Sequence, residues 1–251
     1  MMVEMVLKGV RGAIGLVAAL SLSACAFADW NEVGGVPLSE LDLAGDPPSE
    51  IKLAGPDRVV ISDGPGFSIE VGGDPDAADA LRFDREGDTL TIARDSSIYD
   101  RSGAAIVLLS VPSPSSLEVA GSGRIEAATM ASDADIEIAG SGSIEVDSIQ
   151  AESLSIEIAG SGDVSAAGTA RSVEVEIAGS GDVQLGQLMA DDVTVEIAGS
   201  GDVEIASNGR VSADIAGSGD VTVSGSAECT VDSAGSGTLT CNPAATTTAA
   251  D

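Results

Sequence analysis

The 251-residue sequence predicts an all-β chain: a right-handed parallel β-helix (a two-sheet β-solenoid) with repeats of 18–20 residues and a less regular N-terminal cap. Three observations lead to this fold. The tetrapeptide Ala-Gly-Ser-Gly occurs seven times, with its first glycines at Gly121, Gly140, Gly160, Gly179, Gly199, Gly217 and Gly235, in steps of 19, 20, 19, 20, 18 and 18 residues. A period near twenty marks a stacked repeat. Before each of these glycines the residues alternate with period two, as in a half-buried strand. Two positions before, the residues are Val119, Ile138, Ile158, Ile177, Ile197, Ile215 and Ser233, and three before, every residue is acidic, from Glu118 to Asp232. After the turn the alternation resumes at Ile125, Ile144, Val164, Val183, Val203, Val221 and Leu239.

Each repeat therefore reads as strand, tight Gly-Ser-Gly turn, strand and looser return. Glycine admits positive φ and close backbone approach at the turn. A single repeat cannot bury its apolar face, but stacked repeats can, each strand pairing with its equivalent one coil on. Parallel crossovers favour the right-handed winding. A meander of antiparallel hairpins is the competing arrangement, and it leaves the recurrence of similar residues at one phase without a cause.

The repeated AGSGD turns and a front half running LDLAGDPPSEIKLAGPDRVVI resemble the putative auto-transporter adhesin, head GIN domain family of bacterial envelope proteins, over roughly residues 35 to 241. The resemblance implies a superhelix whose GSG motifs mark the tight turn between two sheets, a role in cell adhesion, and no catalytic residues to carry over.

Taken in order, residues 1–24 read as a signal peptide. Lys8 and Arg11 precede an apolar run from Gly12 to Leu22 that is too short to span a membrane. Leu22-Ser23-Ala24-Cys25 resembles a lipoprotein cleavage box, which makes Cys25 the expected lipidation site; cleavage after Ala28 is the alternative. Either route predicts export to the bacterial outer membrane or periplasm, lipid-anchored in the first case. Residues 25–37 form a tether and 38–111 irregular coils and a cap. Within the cap, Leu41–Gly45 and Ile51–Gly55 echo the repeat, and Val59–Ile61 and Phe67–Val71 read as strands about an Asp63–Gly66 turn. Asp74 to Ala80 is placed in a helical turn, Leu81–Asp84 and Thr89–Ile92 in a hairpin about Gly87, and Ala104–Val111 in a strand after a polar loop that holds Tyr99. The seven-repeat body occupies residues 112–241, and a mobile tail the remainder.

Eleven Lys and Arg stand against 41 Asp and Glu, a net charge of −30. Such a chain repels nucleic acid and anionic membrane and suits cations or basic partners. The acidic residues three before each turn would stack about 5 Å apart, repelling by roughly 0.9 kcal/mol per pair in water. A second row, Asp163, Asp182, Asp202 and Asp220, follows the turn. Calcium (Ca2+) could bridge either row, although the usual reading is a hydrated, fibre-resisting face. Cys229 and Cys241 lie six residues either side of Gly235, both at inward positions, and are expected to form a disulfide across the last coil if that coil tapers.

Enzyme readings fare poorly. The chain has no histidine, and from residue 112 onward the only basic residues are Arg124, Arg171 and Arg210, with no Trp, Tyr or Phe. That removes a Ser-His triad, a histidine general base and aromatic sugar subsites. The expected function is a non-enzymatic exported envelope protein presenting a rigid acidic rod to a surface or envelope partner. A periplasmic structural or cation-binding module is the alternative, and a glycan-active enzyme a distant third.

Overall fold

A computed structural model describes residues 34–95 and 103–242 of the chain. The expected signal peptide, Cys25, the alternative cleavage point at Ala28, most of the expected tether, Tyr99 and the residues beyond Asn242 lie outside the described residues. The strands are β1 (Glu50–Gly55), β2 (Arg58–Asp63), β3 (Ser68–Gly73), β4 (Leu81–Glu86), β5 (Thr89–Arg94), β6 (Ala105–Val111), β7 (Ser116–Gly121), β8 (Arg124–Thr129) and β9 (Asp133–Gly140). They continue as β10 (Ser143–Gly160), β11 (Asp163–Gly179), β12 (Asp182–Gly199), β13 (Val203–Gly217), β14 (Asp220–Ser224), β15 (Glu228–Gly235) and β16 (Thr238–Asn242). A short α-helix, α1 (Pro75–Asp79), joins β3 to β4, and Leu38–Glu40 forms a single 3-10 turn.

The repeats stack in parallel, and the glycine corners lie in register. Gly121 pairs with Gly140, then the ladder climbs through Gly160, Gly179, Gly199 and Gly217 to Gly235. This is a parallel β-solenoid, and the hairpin meander is excluded. The two faces expected as separate sheets are continuous, because β10, β11, β12 and β13 each run through the return bend into the next coil. Register shifts fall near those bends, at Val146/Ile149, Ser165/Ala167 and Leu185/Met189. Coils of 18 to 20 residues are thus accommodated away from the glycine corner, which does not vary.

The corner shows why glycine is required. The first glycines have φ between 121° and 147°, a region L-residues rarely adopt. From Ser141 onward the serine N–H after each first glycine donates to the carbonyl oxygen of the glycine one coil below, for example Ser180 to Gly160 and Ser200 to Gly179, at 2.8 Å. From Gly140 onward, a Cβ on the first glycine would overlap that same oxygen. The inward residues form one unbroken apolar core. Ile136, Ile138 and Ile144 are fully buried, as are their equivalents Val175, Val183, Val195 and Val203, and each such side chain stabilises the fold by about 1.5–3 kcal/mol.

The N-terminal half does not wind in chain order. Its echo of the repeat, Ile51–Gly55, is a true corner: β1 pairs with β7, and Gly55 lies in register with Gly121. On its other side β1 pairs with β5, a later strand, while β2 lies between β6 and β8. The coil of β1 and β2 is therefore inserted between that of β5 and β6 and the regular stack. The other echo, Leu41–Gly45, forms no strand; its backbone carbonyls at Asp42, Ala44 and Asp46 instead accept from Arg85.

Antiparallel strands close the N-terminal end, β4 against β5 and β3 against β6, so the edge that parallel stacking leaves open is paired. Phe83 and α1's Ala77 are buried there, and Asp74 caps α1 by accepting from the Ala77 N–H at 3.0 Å. Where the later corners have a second glycine, this one has Asp57, which is 1% exposed. Its carboxylate accepts from Arg94 Nε and Nη2 at 2.7 and 2.6 Å and from the Ala105 N–H at 2.7 Å. Removing one partner of such a buried pair costs about 3–5 kcal/mol.

Gly179→Ala is expected to destabilise the protein by at least about 1–3 kcal/mol from backbone conformation alone, with the overlap against Gly160 adding to it, whereas the neighbouring exposed Ser180→Ala stays within about 0.5 kcal/mol of wild type. Denaturant unfolding of the two variants distinguishes them.

Candidate functional site

Stacking turns each sequence position into a column. The column three residues before the corner points outward and runs Glu118, Glu137, Glu157, Glu176, Glu196, Asp214, Asp232 in register. Below Glu118 the same column holds Lys52. Its Nζ lies 2.7 Å from Glu118 Oε2, and Glu118 is 6% exposed. Burial works against the Lys52 charge, but the hydrogen bond to Glu118 and the carboxylates of Glu118, Glu50 and Glu137 hold its pKa above the ordinary lysine value.

Farther up, no lysine interrupts the row. Burial pushes Glu137 up from 4.5 to about 7, helped by Glu118, Glu157 and Asp135 and opposed by Lys52. Asp135, one alternate position away, is also raised by burial, against hydrogen bonds from Ser155 and Ser116. Glu176 is raised by burial and then by Glu196, Glu157 and Glu174. The alanine two residues after each acid lies on the same outer face. From Glu157 to Asp232 the two columns border a half-open groove of about 280 Å³ with a mainly apolar lining.

The second acidic row has a different role. Asp163 pairs with Asp182 across two coils. Asp182 Oδ1 accepts from the Asp202 N–H at 3.1 Å, Asp202 Oδ1 from the Asp220 N–H at 2.9 Å, and Asp220 Oδ1 from the Thr238 N–H at 3.0 Å. Asp182, Asp202 and Asp220 thus each cap the backbone donor of the next coil where the strand resumes, whereas the Asp182 N–H itself donates to the Gly162 carbonyl oxygen. Such charge-assisted bonds explain an aspartate after the turn without invoking an ion. Among the described residues no three His, Cys, Asp or Glu side chains converge where a metal could be held.

Cys229 and Cys241 are joined across the last coil, with Cα atoms 6.7 Å apart. Both stand at inward positions, Cys229 in register with the buried Val211 and Cys241 with the buried Val223, but Cys229 is only half-buried and Cys241 exposed, no further coil lying over them among the described residues. Two features escaped the sequence reading. The Asp57–Arg94 pair joins residues 37 apart with no repeat to align them. Lys52 was legible only as part of an echo, and its place in the acidic column follows once Gly55 is set on Gly121.

The family described as putative auto-transporter adhesin, head GIN domain, matches residues 47–227. The chain belongs to that family. The match takes in the closed N-terminal end and the regular coils of this GIN-domain chain, and it stops before Cys229. No curated protein matches the chain. Among solved structures, a putative adhesin from Bacteroides fragilis is similar at a TM-score of 0.70 and 18% identity, over 78% of this chain and 93% of that one. A putative lipid binding protein from Parabacteroides distasonis gives 0.62 and 23%, over 78% and 93%. A putative adhesin from Parabacteroides merdae gives 0.61 and 19%, over 78% and 92%. At these identities the likeness is one of fold. Among the described residues no helix is long and apolar enough to cross a membrane.

The raised carboxyls set a pH dependence. Glu137 is raised in the fold relative to its ordinary value, so its protonation favours the folded state. The gain is complete below about pH 4.5 and is lost as pH rises through about 7. The melting temperature is expected to rise as pH falls from 8 toward 5, and Glu137→Gln to raise it at pH 8 while flattening the slope. A thermal-melt series across that range checks both.

Proposed function

We propose that this GIN-domain chain is a non-enzymatic exported envelope protein, lipid-anchored through Cys25, that presents a rigid acidic solenoid for adhesion or surface interaction. The observation that carries the reading is the in-register acidic column. One carboxylate per coil, from Glu118 to Asp232, makes a single repeated surface along the rod. A surface that repeats one chemical group at one spacing suits extended or multivalent contact, in which weak individual interactions add through effective concentration. Its charge favours a basic or cation-bearing partner and disfavours nucleic acid and anionic lipid. The family's description as an adhesin agrees with this reading. The name of the Parabacteroides distasonis neighbour points to lipid, but a wall of carboxylates repels anionic headgroups.

The anchor lies at the end of the chain that precedes the closed coils, so the last coil, with Cys229 and Cys241, is the part held away from the membrane. Protease added to intact cells is expected to remove an epitope fused after Asp251, and Cys25→Ala to release the protein from the membrane fraction. Protection of the epitope until the envelope is opened would instead make the protein a periplasmic structural module.

A further inference from the structure

We propose that the groove beside the acidic column binds a linear aliphatic polyamine whose nitrogens are separated by three carbons. The groove crosses five coils, with one carboxylate per coil from Glu157 through Glu176, Glu196 and Asp214 to Asp232. Equivalent residues of adjacent coils are about 4.8 Å apart, and a three-carbon spacer sets extended neighbouring nitrogens about 5 Å apart by standard bond lengths. Ammonium groups of such a chain stay in step with the carboxylates, and its methylenes cover the alanine methyls on the floor. Other cationic ligands fit less well. An extended basic peptide repeats its same-face side chains about every 6.8 Å and drifts out of step. A small hard cation needs several oxygens converging on one point, and the described residues offer no such cluster.

The protein supplies one instance of the contact. Lys52 occupies the acidic column one coil below Glu118, and its primary ammonium lies 2.7 Å from that carboxylate. In the groove itself no cation of the described residues plays this part. The ion pairs nearest in the chain, Arg171–Glu152 and Arg210–Asp192, use carboxylates outside the groove lining. Burial and the carboxylates of Glu196, Glu157 and Glu174 disfavour the charge on Glu176. A polycation lying along the row relieves that repulsion at several coils at once. The site shares a face with the proposed adhesive surface but does not depend on adhesion.

The test is calorimetric titration of the full chain at about 0.15 M salt, where unspecific ion pairing is largely screened, near pH 7.5. The probes are norspermine, which has three-carbon spacers, a tetraamine with six-carbon spacers, and hexalysine. Norspermine is expected to bind saturably and about tenfold or more tighter than the longer tetraamine and hexalysine. The double substitution Glu176→Gln with Glu196→Gln is expected to weaken norspermine about tenfold or more, while Glu145→Gln with Glu204→Gln, on the other face, leaves it unchanged. All four side chains point outward, and a melt of each variant verifies the fold. Equal affinity for the two tetraamines, equal loss in both variants or an absence of saturable heat would reduce the effect to diffuse screening and overturn the proposal. Tighter hexalysine binding would assign the groove to a basic polypeptide and overturn it as well. Loss of adhesion with norspermine binding intact would count only against the adhesive role.

Discussion

From Gly121 up the solenoid, a glycine carbonyl oxygen at each corner occupies the place that a Cβ on the next coil's glycine would need. The same oxygen accepts the N–H of the serine that follows. Close approach and hydrogen bonding are thus one contact, repeated up the axis, and only glycine permits it at these φ angles. The corner holds the coils in register, and register decides everything placed on them. Isoleucines and valines fall into one core, acids into one outward column, alanines into another. A slip of one residue would exchange the core-facing and outward-facing sets.

Register has an electrostatic consequence as well. Aligning like residues aligns like charges, and Glu137 and Glu176 titrate above the ordinary glutamate value as a result of burial and their neighbours. Different parts of the molecule relieve this in different ways. At the N-terminal end Lys52 enters the column and pairs with Glu118. After the turn, Asp182, Asp202 and Asp220 direct their carboxylates at backbone N–H groups of the next coil. In the groove from Glu157 to Asp232 neither device operates among the described residues, and this is where an external cation has most to offer. A rod with alternately satisfied and unsatisfied carboxylates is specific in a way that uniform acidity is not.

The regular coils were legible in the sequence because they repeat. Seven copies of one phrase gave strand, turn, inward and outward positions, and the parallel pairing of those positions. The front half was legible only locally. Its hairpin about Gly87, the helical turn after Asp74 and the strand at Ala105–Val111 follow from turn chemistry and alternation. The insertion of β1 and β2 between later strands does not, since it depends on contacts such as Asp57 with Arg94 that no local pattern encodes. Of the two echoes of the repeat, Ile51–Gly55 is followed by Pro56-Asp57 and a strand and forms a corner, while Leu41–Gly45 is followed by Asp46-Pro47-Pro48, whose prolines withhold the N–H groups that strand pairing needs. The role of the aspartates after the turn was also hidden, because a carboxylate that caps a backbone donor and one that awaits an ion look alike in sequence.

Vertical registry can be measured without reference to any ligand. Glu174 and Thr194 are partners on adjacent coils and both face outward, within the Cα separation of about 4.4–6.8 Å that a disulfide accepts. In a chain carrying Glu174→Cys and Thr194→Cys, mild oxidation of the folded protein followed by peptide mapping should find the two introduced thiols bonded to each other, and far faster than when the reduced chain is oxidised in denaturant. In an up-and-down sheet the equivalent strands of neighbouring repeats would be two strands apart, about 10 Å. Introduced thiols that remain free in the folded protein would therefore contradict the stack.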